Sequence, residues 1–137
     1  MDSKRKGRIA LLKVQLRAVE RGCMTSVPSS DDCRYDLILD EEGVLRRAQV
    51  KWGGMVCSHA AGAVQVDLRK DDGKRGQKRR LYSADEIDVV LVYVPQVDRV
   101  AAFTSEHFAG KTALIVRLEP PKNGQQKNLR MLQDFLW

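Results

Sequence analysis

Aromatic side chains make up only 6% of the 137 residues and form no stacking motif. That argues against an RNA-binding or single-strand surface, on which bases stack against aromatic rings. Cysteine is also sparse. Cys23, Cys33 and Cys57 are widely spaced, with no CxxC pair, and His59 and His107 are the only histidines, so neither a disulfide framework nor a structural zinc site is expected. Cys57, Ser58 and His59 stand together, but neighbours on an extended chain point apart and no orienting partner is evident, so free structural thiols are expected. No apolar run reaches the roughly 18 residues that a transmembrane helix needs. The basic opening MDSKRKGR lacks the apolar stretch and cleavage site of a secretory signal, so an intracellular location, cytoplasmic or nucleoid-associated, is expected.

What is present is the composition of a globular chain, 43% hydrophobic and 31% charged. The length fits one domain over residues 1–137. Lys and Arg outnumber Asp and Glu by 24 to 18, a net charge of +6, which favours a polyanionic partner.

Apolar residues Ile9, Leu12, Val14, Leu16 and Val19 predict an amphipathic helix over 6–21, ended by Gly22. A short strand over 23–27 stops at Pro28, and 29–33 is a polar turn. Runs 35–40 and 44–51, separated by Glu41, Glu42 and Gly43, predict a hairpin, followed by a glycine-containing loop over 52–58 and a strand over 63–68. The continuous apolar run 87–94 predicts a central strand buried on both faces. Strands over 99–104 and 112–118, a short helical turn at 105–108 and a terminal helix over 128–137 complete the chain. The sum is an α/β fold, a mixed β-sheet flanked by helices.

The hairpin is where chemistry becomes legible. With Glu42 and Gly43 at the tip, facing residues have numbers summing to about 85, so Asp36 lies opposite Gln49, with Cβ atoms roughly 5 Å apart. Gln49 and Lys51 share a face, because strand side chains alternate. A carboxylate and an amide oxygen are hard ligands suited to Mg²⁺, and a lysine beside them can position a water or offset charge building on a phosphate. On these residues alone, the plainer reading, a solvated Asp opening one strand and a solvated Lys closing another, stays ahead of the catalytic one.

The runs RYDLILDEEGVLRRAQVK (34–51), EIDVVLVYVP (86–95) and VRLEPPKNGQQKNLR (116–130), together with the opening KGRIALLKVQLRAVERG (6–22), resemble in order and spacing the PD-(D/E)XK endonucleases related to intron-encoded homing endonucleases. The resemblance implies a single-domain nuclease-like fold and cleavage of double-stranded DNA with Mg²⁺, Mn²⁺ being a possible substitute. By that resemblance Asp36 and Gln49 bind metal and Lys51 assists hydrolysis. The family helix typically reads like KGDIAEAKV, whereas this chain has Arg8 and Leu11 at the acidic positions. Glu20 lies about 180° round the helix from Leu11 at roughly 100° per residue and does not replace the missing acid.

Between two strands, RKDDGKRGQKRR forms a basic arm with Arg69, Lys70, Lys74, Arg75, Lys78, Arg79 and Arg80, suited to a phosphate backbone. Lys122, Lys127 and Arg130 make a second basic patch, and Trp52 either packs on substrate or covers the sheet edge. Cutting both strands of a duplex calls for two active sites, hence a homodimer or homotetramer. The terminal residues Met131, Leu132, Phe135, Leu136 and Trp137 make that contact or dock on the chain's own core. Two functions emerge: an Mg²⁺-dependent endonuclease, site-specific like a homing enzyme or structure-specific, or a DNA-binding protein that keeps the nuclease fold without cleavage.

Overall fold

The computed structural model describes residues 1–70, 80–124 and 129–137. Helix α1 spans Ser3–Glu20; the Asp2 carboxylate caps it by accepting from the Arg5 backbone N–H at 2.8 Å, and Gly22 leaves it at a φ of 77°. The buried stripe is Ala10, Val14 and Ala18, one residue per turn. Leu12, Leu16 and Val19, expected in the core, are instead exposed, with Ile9 and Leu11 half-buried on the flank. Small side chains let the helix backbone lie close on the sheet, and the larger ones are left outside. Ala18→Leu is therefore expected to cost about 1–3 kcal/mol by overpacking, whereas Leu16→Ser shifts stability by less than about 0.5 kcal/mol; urea unfolding of the two variants checks the contrast.

The strands follow in order: β1 (Met24–Ser26), β2 (Leu37–Glu41), β3 (Val44–Trp52), β4 (Ala63–Asp67), β5 (Arg69–Lys70), β6 (Arg80–Leu81), β7 (Val89–Val94) and β8 (Arg99–Phe103). A short helix α2 (Ser105–Phe108) and strand β9 (Ala113–Arg117) come last. One sheet runs β1-β2-β3-β7-β8, mixed because β3 and β7 are parallel and the other pairs antiparallel. Glu42 and Gly43 turn the β2–β3 hairpin with φ of 54° and 85°, the left-handed pair that matches strand twist. Leu37 faces Ala48 and Glu41 faces Val44, the expected register. Strand β7 is buried at all six positions. Its parallel register with β3 is pinned by Asp88, which accepts from the Arg47 backbone N–H at 2.7 Å and pairs with the Arg47 guanidinium at 3.0 Å. The Arg47 hydrogen bond holds the Asp88 carboxyl below its ordinary range.

Two apolar clusters lie on opposite faces of this sheet. Val89, Leu91 and Tyr93 of β7 pack with Ala48, Val50 and helix α1, while Val90, Val92 and Val94 pack with Val64, Val66, Leu114, Val116 and Phe108. Only the first face is covered by a long helix. The second is covered by the two-stranded β4–β9 sheet and α2, so the flanking layer there is mostly strand.

The expected terminal helix is also replaced. Only Leu132–Asp134 coils, as a 3₁₀ turn, and the segment after it runs along the outer edge of β8. Ala102 N–H donates to Phe135 O and Trp137 N–H to Val100 O, each at 2.9 Å. These bonds satisfy edge groups that a helix would leave bare. Leu132 and Trp137 enter opposite core clusters, and Arg17 Nε donates to Trp137 O at 2.6 Å. The terminal apolar run thus docks on its own core. Among the described residues no helix is long and apolar enough to cross a membrane.

Candidate active site

Strand β2 leaves its partner at Asp36. The Asp36 N–H donates to Ala48 O, and the carboxylate Oδ2 accepts from the Val50 N–H, each at 2.8 Å. The ladder pairing ends at Leu37 and Ala48, and the side chain takes over a ladder acceptor's place on Val50, the residue after Gln49. Ala48 and Val50 face the helix-side cluster, so Gln49 and Lys51 between and beyond them face the other side, level with Val90 and Val92 of β7. Gln49 and Lys51 therefore share one face of the sheet, and the Asp36 carboxylate acts on the hydroxyl of Tyr82, which is buried in the cluster on that same face.

Gln49 is only 6% exposed, and its Oε1 has no hydrogen-bond partner among the described residues. A buried acceptor left without a donor is costly in a structural role and suited to a cation. With the Asp36 carboxylate it offers two hard oxygens, the donor type that suits a divalent cation which keeps most of its waters and takes few protein ligands.

Local sequence gave no sign of Tyr82. Its ring lies almost wholly buried under two cations, Lys51 Nζ at 5.1 Å and the Arg34 guanidinium at 4.8 Å from the centroid. Burial first, and then the Asp36 carboxylate, push the Tyr82 hydroxyl far above its ordinary range against the opposing pull of Arg34. It therefore stays protonated at neutral pH. Arg34 is itself held by Glu86 at 2.6 Å and by Leu81 O at 2.9 Å. Asp67, at the end of β4, is a further carboxylate in the field of Lys51. Burial works against its charge, but hydrogen bonds from Arg69 and the fields of Arg69 and Lys51 hold its carboxyl below the usual range. No spacing rule joins Asp67, Tyr82 and Glu86 to the hairpin, since they lie in the crossover between β3 and β7; Arg34 stands two residues before Asp36 and meets Tyr82 and Glu86 there.

Leu11 is half-buried against the helix-side cluster, as is Trp52, whose ring meets Tyr93 edge-on at 5.7 Å. Trp52 thus covers the sheet. Of the basic residues, Arg69 directs its guanidinium to Asp67 at 3.1 Å, and Lys70 pairs with Arg80 across β5 and β6 at the base of the arm. Lys74, Arg75, Lys78, Arg79 and Lys127 lie outside the described residues. Lys122 is exposed at the rim of a cavity of about 330 Å³ shared with His59 and Arg117, whereas Arg130 is half-buried and donates to His107 Nδ1 at 3.2 Å. Cys57 and His59 do not point apart as expected: the chain turns and brings Sγ and Nε2 to 3.5 Å, with Cys57 buried.

No curated protein matches the chain. The structure is similar to that of the bacterial homing endonuclease I-Ssp6803I, with a TM-score of 0.78 and 25% identity, over 99% of this chain and 89% of that one. The family description "PD-(D/E)XK endonuclease" matches residues 1–137 from end to end. The mixed sheet, the helix on one face and the hairpin at its centre are those of a nuclease fold, and the chain belongs to the PD-(D/E)XK endonuclease family.

Proposed function

We propose that the protein hydrolyses phosphodiester bonds of double-stranded DNA with Mg²⁺, as a site-specific homing-type or a structure-specific endonuclease working as a homodimer or homotetramer. The observation that carries this reading is the buried Oε1 of Gln49, without a hydrogen-bond partner among the described residues, on the same face as Lys51 and next in the strand to Val50, whose N–H donates to the Asp36 carboxylate. Asp36 and Gln49 hold the ion, and the ion, when bound, supplies Lewis-acid polarisation of the scissile phosphate. Lys51 sets its ammonium beside that phosphate, where it orients the attacking water and offsets charge gathering on the phosphoryl oxygens. The arm residues Arg69, Lys70, Lys74, Arg75, Lys78, Arg79 and Arg80, with Lys122, Lys127 and Arg130, supply contacts to the DNA backbone. The bacterial homing endonuclease of similar structure supports a DNA substrate.

Supercoiled plasmid incubated with the protein and Mg²⁺, then Mn²⁺, tests this directly. Nicked or linear product is expected. Retarded but intact plasmid in both metals would favour the second reading, a DNA-binding protein without cleavage, whose supporting observation is the apolar Leu11 where the family helix carries an acid.

Gln49→Glu separates the metal role from packing. It adds a second carboxylate beside Asp36 in a buried place, so without metal the variant should melt below wild type. Mg²⁺ should then raise its melting temperature more than it raises that of the wild type, because a charged oxygen replaces a neutral one. Scanning calorimetry with and without Mg²⁺ reads both effects.

A further inference from the structure

We infer that Tyr82 is a positioning residue whose ring holds the Lys51 ammonium in place for catalysis. This rests on the reading of Lys51 as the lysine of the cleavage site. A lysine side chain is a point charge on a flexible four-carbon stem, and left to itself it samples many rotamers. Lys51 lies next to last in β3 and is half-buried, with its Nζ 5.1 Å from the Tyr82 centroid, inside the range where an ammonium is drawn to a ring face. The ring itself is 1% exposed and has little freedom. Arg34 lies over it at 4.8 Å, tied by Glu86 at 2.6 Å and by the carbonyl of Leu81, the residue just before Tyr82, at 2.9 Å. The ring is thus fixed from both the chain and the side-chain direction, and Lys51 rests on it.

The hydroxyl is not what does this. Tyr82 Oη has no hydrogen-bond partner among the described residues, so the ring alone carries the contact. Phenylalanine should therefore serve, and leucine, of similar apolarity but without a π face, should not. Tyr82→Leu is expected to lower kcat about 10- to 100-fold, since small misplacements of a reacting group cost that much, with duplex Kd within about threefold. Tyr82→Phe is expected to restore kcat to within about threefold of wild type.

Proton NMR gives a readout apart from cleavage. In wild type and Tyr82→Phe, the Lys51 ε-methylene protons should be shifted upfield by the ring current and show an NOE to the ring; in Tyr82→Leu the shift should vanish. Absence of that NOE in wild type, or a folded Tyr82→Leu that cleaves at the wild-type rate, would overturn the proposal, and the wild-type NOE tests the Lys51–ring contact even where the leucine variant does not fold. A wild-type protein that shows the NOE but cuts no DNA overturns the endonuclease reading, and with it the catalytic use of the contact, while leaving the contact itself intact.

Discussion

Replacing Asp36 or Lys51 by alanine is expected to reduce strand cleavage by at least about 10²–10³-fold, while affinity for duplex DNA stays within a few-fold. The two losses have different physical origins. Asp36→Ala removes the proposed metal ligand and also leaves the Val50 N–H without its acceptor at 2.8 Å, a structural cost of about 1–3 kcal/mol. Asp36→Asn resolves the two: its amide oxygen can still accept from Val50, so stability returns, but a neutral ligand binds Mg²⁺ poorly and cleavage stays lost. Lys51→Ala removes the charge beside the phosphate and leaves the Asp36 and Gln49 oxygens in place, so metal-induced stabilisation should persist without turnover. Plasmid nicking rates, duplex Kd values and melting temperatures for the three variants check these outcomes. A variant cutting at the wild-type rate would remove its residue from the site.

The second large effect concerns binding. Each phosphate neutralised by Lys or Arg contributes about 0.9 to the slope of log K against log salt, so changing Lys74, Arg75, Lys78 and Arg79 to Ala should flatten that slope by roughly 3 to 4. Affinity at low salt should fall with it. Phosphate contacts position without specifying, so specific and random duplexes should weaken alike, unless some of the four reach base edges and discrimination drops as well. Fluorescence anisotropy across a salt series measures the slope. An unchanged slope would move the DNA-binding surface towards exposed Lys122.

The parts of this structure legible in the sequence are those set by local rules. The Glu42–Gly43 turn fixes the hairpin register, period-two alternation then puts Gln49 and Lys51 on one face, and the run ending at Val94 is buried as its continuous apolarity requires. What local rules missed was decided by fit. Helix α1 turns Ala10, Val14 and Ala18 inward against the pull of Leu12 and Leu16 because close approach to the sheet admits only small side chains. The terminal residues abandon a helical pattern because β8 offers an edge to be paired. At the site, the hairpin's Asp36, Gln49 and Lys51 could be named in advance as candidates, but Tyr82, Arg34 and Asp67 could not. Tyr82 and Asp67 reach the site through the long crossover that makes β3 and β7 parallel, where Arg34, two residues before Asp36, meets the Tyr82 ring, and no spacing in the chain records that meeting.

Anomalous diffraction from crystals grown with Mn²⁺ tests the central claim most directly. The account predicts a peak within ligand distance of both the Asp36 carboxylate and Gln49 Oε1, absent from crystals of Asp36→Ala. A peak elsewhere that survives in Asp36→Ala, or none near Asp36 in protein that cleaves DNA with Mn²⁺, would contradict it.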